Sequence, residues 1–251
     1  MTEAILFTDN LSRHYGGIAA NSQVSITLRR GQLHAVLGPN GAGKTTLINL
    51  LSGDVAASHG SIRFGDQEIS GFSAHRRSRI GIGRSYQKTN IFPSFTVFEN
   101  TRLAAQSRQP RPFKIFSSAL SYKEIVDTAL SALERTGLSD RRDDVASTLS
   151  HGEQRQLEIA MVLATRPDVL LLDEPLAGMG SEESAQMVQL LKQLSPHHAI
   201  LIVEHDMDAV FAIADVITVM VNGQVLEHGP PRQIRSSVAV QQAYLGHEDD
   251  P

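Results

Sequence analysis

Gly38-Pro39-Asn40-Gly41-Ala42-Gly43-Lys44-Thr45 is a stretch of the chain that fits the pattern G-x-x-x-x-G-K-[ST]. The apolar run before it, residues 33–37, predicts a buried strand, and residues 46–52 after it predict a helix. In this context the pattern indicates a phosphate-binding loop, because backbone N–H groups and the N-terminus of the helix point at phosphate oxygens. The loop predicts ATP binding, with Lys44 on the β- and γ-phosphates and the Thr45 hydroxyl on Mg²⁺. A glycine-rich turn before an ordinary helix is the alternative.

Length and composition exclude several classes of protein. The chain has 251 residues, of which 41% are hydrophobic and 20% charged, enough for one large α/β domain with a buried core. The net charge of −4 gives no reason to expect a nucleic-acid partner. Cysteine is absent, so disulfides and thiolate metal sites are excluded. The apolar runs are too short to span a bilayer and the first ten residues do not read as a secretory signal, so we expect a soluble protein.

The C-terminal part of the chain predicts a parallel sheet. Strand patterns and helix patterns alternate there, which is typical of a sheet covered by helices on both faces. Together with the phosphate loop this predicts an α/β fold whose core is that of a phosphate-loop NTPase (RecA-like). The predicted strands are residues 81–86, 169–172, 200–203, 216–221 and 224–227, and the predicted helices are residues 182–194 and 207–214.

Two further units are predicted around this core. Short strand patterns at residues 4–8, 24–28 and 61–69 predict a small antiparallel β subdomain beside the nucleotide site. Helical patterns at residues 98–106 and 122–134 predict a helical insertion. We therefore expect one domain, 1–251, in which residues 1–88 and 165–251 form the core and the β subdomain, and residues 89–164 form the insertion.

Two carboxylates, Asp173 and Glu174, follow the apolar strand pattern. A buried strand rarely ends in paired acids without partners, because buried charge is costly. Ligands bind at the carboxyl ends of parallel strands, so we expect both acids beside the phosphates. Asp173 is then expected to hold Mg²⁺ through water, and Glu174 to polarise the attacking water. An ordinary acidic turn is the alternative.

A second candidate phosphate surface lies at residues 149–154, which read Leu-Ser-His-Gly-Glu-Gln. Ser150 with Glu153 three residues later predicts a capping box that opens a helix over residues 153–164. A capped helix N-terminus beside a glycine also binds anions, so the structural and the functional interpretation are compatible.

Together these motifs resemble the nucleotide-binding subunit of an ATP-binding-cassette (ABC) transporter, over essentially the whole chain. Residues 149–154 are similar to the family's LSGGQ signature, with His151 in place of the first glycine. Tyr15 stands where the family has an aromatic residue that stacks on adenine. Gln87 matches the glutamine that senses Mg²⁺ and the membrane partner, and His205 matches the switch histidine at the γ-phosphate. Residues 176–181 depart from the family, because they lack its usual aspartate.

The resemblance implies three sets of site residues. The catalytic set is Glu174, His205 and Gln87, and the Mg²⁺ set is Thr45, Gln87 and Asp173. The ATP set is Tyr15, Gly38, Pro39, Asn40, Gly41, Ala42, Gly43, Lys44, Thr45, Thr46, Ser150, His151, Gly152 and Glu153.

The resemblance also implies partners and a location. These are membrane permease subunits, a second ABC ATPase subunit (as homodimer or heterodimer) and, indirectly, a periplasmic solute-binding protein, with this chain peripheral on the cytoplasmic face of the inner (plasma) membrane. The apolar residues Ile91, Phe92, Phe95 and Phe98 predict an exposed, loop-like groove for the permeases. Two basic stretches, 75–88 and 102–123, predict either a solvated face or a surface for those permeases or anionic headgroups.

Short matches resemble one branch of the family. The segment Glu204-His205-Asp206-Met207, the ending Tyr244-Leu245-Gly246 and the long loop 106–121 resemble branched-chain amino-acid importers. Urea or amide importers and lipopolysaccharide-export ATPases remain alternatives within the family. Outside transport, the alternatives are an ABC ATPase of DNA repair or translation, which usually has two cassettes or a coiled coil, and a small-molecule kinase, which has no use for the signature.

Overall fold

The computed structural model describes residues 3–87, 89–108 and 123–245. Its strands are β1 Ala4–Tyr15, β2 Ile18–Val24, β3 Thr27–Arg29, β4 Gln32–Leu37, β5 His59–Phe64, β6 Gln67–Glu68, β7 Ile82–Arg84, β8 Val169–Asp173, β9 Ala199–Val203, β10 Val216–Val221 and β11 Gln224–Gly229. Its α-helices are α1 Lys44–Ser52, α2 Ala74–Ile80, α3 Val97–Gln106, α4 Lys123–Arg135, α5 His151–Ala164, α6 Ser181–Leu194, α7 Met207–Ile213, α8 Pro231–Ser236 and α9 Val238–Leu245.

The core is a six-stranded sheet in the order β11-β10-β4-β9-β8-β7. Its pairings are parallel except that between β10 and β11. The strands β8 and β9 are buried along their whole length, as expected for central strands with helices on both faces. One apolar core joins the sheet to α5, α6 and α7, and a second joins the opposite face to α1 and the antiparallel sheet. The predicted α/β fold class is confirmed.

The antiparallel sheet has the order β2-β1-β5-β6, with β3 also paired to β1. The predicted strand at residues 4–8 is longer, because β1 continues to Tyr15. The single strand predicted at residues 24–28 is wrong, since β2 ends at Val24 and β3 begins at Thr27. The buried Thr8 hydroxyl explains the break: it donates to Val24 O at 3.0 Å and accepts from Ile26 N at 2.8 Å, in place of a continuous ladder.

The helices α3, α4 and α5 pack on one another around a third apolar core. The predicted helices at 98–106 and 122–134 agree with α3 and α4 within a residue at each end, and residues 109–122 lie outside the described part of the chain. The helix α2 was not predicted, because its sequence is basic rather than periodically apolar. It belongs to the basic stretch 75–88, and the prediction of a solvated surface is wrong for Arg77, which is 1% exposed.

The parallel strands bring distant parts of the sequence to one edge of the sheet. Leu37 at the end of β4 leads directly into the phosphate loop. Asp173 at the end of β8 pairs in register with Val203 at the end of β9, two residues before His205. In the described ranges no helix is both long and apolar enough to cross a membrane.

Candidate nucleotide site

The phosphate loop is curled by glycines with positive φ angles. Gly43 is the N-cap of α1 with a φ of 93°, and Gly41 has a φ of 79°. A Cβ placed on Gly43 would lie 2.3 Å from the backbone oxygen of Ala20 in β2, so only glycine fits this approach. Asn21 of the same strand donates to Gly43 O at 3.2 Å. The loop is thus seated against β2, and its backbone curls into a cradle.

Lys44 lies inside this cradle. Its side chain is 7% exposed, and its ammonium donates to Gly38 O at 2.6 Å and to Pro39 O at 3.0 Å. Burial lowers the pKa of Lys44, while the nearby carboxylates of Glu174 and Asp173 act in the opposite direction. The ammonium is therefore bonded to two loop carbonyls, and the two predicted acids are near enough to stabilise its charge.

Asp173 is buried at the end of β8, with 2% of its surface exposed. Burial raises the pKa of its carboxyl group, and the guanidinium of Arg84, 3.4 Å from Oδ2, opposes that rise. Arg84 also donates to Ser52 Oγ at 2.8 Å and pairs with Asp54 at 2.5 Å, and so ties Asp173 to the C-terminal end of α1. This arginine was not predicted as part of the site, and the interpretation of residues 75–88 as a surface is wrong for its buried side chain.

Glu174, Gln87 and His205, the predicted catalytic set, lie close together. Gln87 Nε2 donates to Glu174 Oε2 at 3.0 Å, and His205 Nδ1 lies 3.9 Å from Glu174 Oε1. Glu174 has a φ of 49°, a conformation that few residues other than glycine adopt, and its N–H donates to Val203 O at 2.9 Å. The carboxylate therefore projects from a strained turn with an amide and an imidazole beside it.

The donor set suits Mg²⁺ bound together with phosphates. In the described residues no group of three or more His, Cys, Asp or Glu side chains forms a ready-made metal site. The exposed Thr45 hydroxyl and the Asp173 carboxylate are oxygen ligands, and Mg²⁺ characteristically takes one or two of these while phosphate and water oxygens complete its shell. Their roles as Mg²⁺ ligands remain predictions.

Ser150 caps α5 in the predicted capping box. Its hydroxyl accepts from Glu153 N at 3.2 Å, and Glu153 Oε2 accepts from Ser150 N at 2.8 Å. The helix begins at His151, two residues before the predicted start. Among the described hydrogen bonds, none joins Ser150 to the phosphate loop of the same chain.

Glu183 of α6, which was not predicted, occupies the N-terminus of α5. Its Oε1 accepts from the Ser150 hydroxyl at 3.0 Å and from Gly152 N at 3.2 Å. These hydrogen bonds lower the pKa of the Glu183 carboxyl group, the bond from Ser150 contributing most. A carboxylate thus uses the donors that would face a phosphate, which agrees with the interpretation of this helix end as an anion site.

Two aromatic features that were predicted as contact surfaces are exposed. Tyr15, at the end of β1, is 45% exposed, and the guanidinium of Arg13 lies 4.5 Å from its ring centre. Phe92 and Phe95 stack with ring centres 5.3 Å apart and are 46% and 39% exposed. The predicted exposure of Ile91 and Phe98 is wrong, because both pack partly into the third core. Phe98 lies in the first turn of α3, in agreement with the helix predicted at residues 98–106 and not with a loop.

The chain is similar in sequence and structure to transporter ATPases. The pattern of the ABC transporter family matches residues 21–177. The high-affinity branched-chain amino acid transport ATP-binding protein LivG of Escherichia coli (strain K12) is 38% identical over 255 residues, which cover 98% of this chain and 99% of LivG. The lipopolysaccharide export system ATP-binding protein LptB of the same organism is 32% identical over 246 residues, 98% of each chain. A crystal structure of an ATP-binding cassette of an ABC transporter, in its ADP conformation, matches with a TM-score of 0.86 at 30% identity, covering 98% of this chain and 100% of the other.

Proposed function

The chain belongs to the ABC transporter family, and from that premise we propose that it is the ATP-binding and ATP-hydrolysing subunit of an importer for branched-chain or related amino acids. One observation carries the ATPase assignment. The ammonium of Lys44 is bonded to two carbonyls of the phosphate loop and lies near enough to the carboxylates of Asp173 and Glu174 to be stabilised by them, at the carboxyl edge of a parallel sheet. These residues are explained without a binding site for a second, phosphate-accepting small molecule. They therefore do not favour the kinase alternative.

The residues divide the chemistry among them. The loop N–H groups and Lys44 bind the phosphate chain, and Tyr15 offers an exposed ring to adenine. Thr45 and Asp173 would hold Mg²⁺, which would supply charge that neutralises the phosphates. Glu174 accepts a proton from the attacking water, while Gln87 and His205 orient that water and the γ-phosphate.

Two chains complete the site in this proposal. Ser150 and Gly152, with His151 and Glu153 beside them, face the ATP held by Lys44 of a second subunit, which is a copy of this chain or a related ATPase. The two donors that now bind the Glu183 carboxylate support this, because they already hold an anionic group and have no described hydrogen bond to the phosphate loop of the same chain. Binding ATP between the chains then adds to the free energy of association.

The transport assignment rests on similarity and on one surface. LivG, at 38% identity over nearly the whole chain, favours branched-chain amino acids over lipopolysaccharide export, for which LptB is 32% identical. A urea or amide importer remains the alternative within this branch. The stacked pair Phe92 and Phe95, five and eight residues after Gln87, offers an apolar surface for permease subunits. The proposed location is accordingly the cytoplasmic face of the inner (plasma) membrane, where the permeases would link the chain to a periplasmic solute-binding protein. The proposal gives no role to nucleic acid.

The ATPase assignment is tested with Glu174→Gln. This variant keeps the shape of the side chain and an acceptor for Gln87, so ATP affinity measured by calorimetry should stay near the wild-type value. Phosphate release should fall by roughly 10² to 10⁴, the usual contribution of a positioned general base. Glu182→Gln is the matched control, an exposed acid eight residues away that should keep the wild-type rate. Wild-type turnover in Glu174→Gln would remove this carboxylate from the mechanism.

The solute class needs the assembled transporter. With permease subunits and the solute-binding protein in proteoliposomes, leucine should raise the ATPase rate, whereas urea and lipopolysaccharide should not. Stimulation by urea alone would favour the amide-importer alternative and leave the ATPase assignment intact.

A further inference from the structure

A buried ion pair lies on α5, outside the residues assigned above. Arg155 and Glu158 are joined through Nη1 and Oε2 at 3.0 Å, and their side chains are 6% and 5% exposed. Taking two charges out of water is costly, and a pair three residues apart on a helix does not need burial to form. Stabilisation of α5 therefore does not explain why this pair is buried, and its other contacts must be considered.

The pair holds the backbone of the segment that carries Gln87. Glu158 Oε1 accepts from Tyr86 N at 3.0 Å, and Arg155 Nη1 donates to Tyr86 O at 2.7 Å. Arg155 Nη2 donates to the carbonyl oxygen of Gln87 itself. A guanidinium is suited to this task, because its planar fork reaches two carbonyls at once and its charge strengthens both bonds.

The segment leaves the sheet at this point. Ser85 N still donates to Leu171 O of β8 at 3.0 Å, but Tyr86 and Gln87 bond to α5 instead. This is why the strand predicted at residues 81–86 ends at Arg84. The side chain of Gln87 then reaches back across to Glu174 at 3.0 Å. Gln87 is consequently fixed at its backbone by the helix that starts beside Ser150 and at its amide by the acid at the end of β8.

We propose that Arg155 and Glu158 are positioning residues, which hold the backbone of Gln87 so that its side-chain amide meets the Glu174 carboxylate. The inference deepens the proposed function and rests on it. The connection is direct, because Arg155 holds the carbonyl of Gln87 and the amide of the same residue donates to Glu174.

The test is a double-mutant cycle in the full-length chain. Arg155→Lys keeps the charge opposite Glu158 but cannot span both carbonyls, and Gln87→Ala removes the side chain through which the pair is proposed to act. Arg155→Lys should lower kcat about tenfold with little change in the KM for ATP, the loss expected for one charge-assisted hydrogen bond. In the Gln87→Ala background the same substitution should change kcat by less than about twofold, because the side chain through which Arg155 is proposed to act is already absent.

Arg77→Lys is the matched control. Arg77 is also buried and donates to backbone carbonyls, those of Leu50 and Leu51 at 2.6 and 3.0 Å, but it has no described contact with the Gln87 segment. Urea unfolding of every variant reports its stability. Arg77→Lys should lower stability and alter kcat by the same factor in both backgrounds. If Arg155→Lys does not fold, Glu158→Gln, which keeps an acceptor for Tyr86 N, takes its place in the cycle.

Equal fold-losses from Arg155→Lys with and without Gln87 would overturn the inference, because the pair would then act only on stability. So would a wild-type kcat in Arg155→Lys. The proposed function is judged separately by the rates of the wild type and Glu174→Gln in the same assay, so its failure and the failure of the inference are told apart.

Discussion

The glycine at the end of the phosphate loop provides a quantitative test of how the loop is built. Gly43 and Gly41 both have positive φ angles, 93° and 79°, so replacing either with alanine costs about 1–2 kcal/mol in backbone strain. The surroundings differ. A Cβ on Gly43 would lie 2.3 Å from Ala20 O and 2.9 Å from Asn21 Nδ2, whereas a Cβ on Gly41 would meet no atom within 4 Å.

The clash at Gly43 cannot be relieved by a rotamer change, because the oxygen belongs to the backbone of β2. Relief requires the loop or the strand to shift, and overpacking of this kind costs about 1–3 kcal/mol. We therefore expect Gly43→Ala to lose about 2–5 kcal/mol of the free energy of unfolding and Gly41→Ala about 1–2 kcal/mol. The strain common to both variants cancels in the difference.

Urea unfolding of the two variants without nucleotide measures that difference. Gly43→Ala should unfold at lower urea than Gly41→Ala with a similar dependence on denaturant, since the surface exposed is the same. Two variants of equal stability would refute the close approach of the loop to β2, and a less stable Gly41→Ala would refute the loop geometry itself.

Three further outcomes are expected of single substitutions. Lys44→Ala should abolish ATP binding in calorimetry, because the negative charges of the phosphates lose the ammonium that pairs with them. A near-normal ATP affinity in a folded variant would contradict the assignment of the phosphate loop. His205→Ala should reduce kcat about tenfold or more while ATP affinity changes little, and equal losses of ADP and ATP affinity with unchanged turnover would contradict its action on the γ-phosphate. Glu183→Gln removes a negative charge from the N-terminus of α5, so gel filtration should show ATP-dependent dimers at about two- to fivefold lower ATP. A higher ATP requirement would mean that Glu183 supports the interface rather than occupying it.

The parts of the site that are contiguous in sequence were predictable. Phosphate binding by residues 38–45 could be predicted because one loop supplies the turns, the N–H groups and the ammonium. Asp173 and Glu174 were predictable because two acids at the end of an apolar strand need a cation. The fold class followed from the alternation of strands and helices, which the parallel sheet confirms.

The partners of those residues were not predictable, because they are distant in sequence and chemically ordinary. Arg84 reaches Asp173 from 89 residues away, and Glu183 reaches Ser150 across 33. An arginine in a basic stretch and a glutamate in the acidic first turn of a helix give no signal of burial or contact. The break between β2 and β3 was missed for a similar reason, since it depends on the hydroxyl of Thr8 from another strand.

The central claim, that two chains share each ATP, is tested most directly by mixing two inactive variants. Lys44→Ala keeps a normal signature and Ser150→Arg keeps a normal phosphate loop, so each alone should be inactive. A mixed pair should contain one complete site, and ATP hydrolysis should reappear on mixing and rise more than linearly with protein concentration. No recovery on mixing, together with a wild-type specific activity that stays constant on dilution to monomers, would show that one chain suffices and would contradict the account.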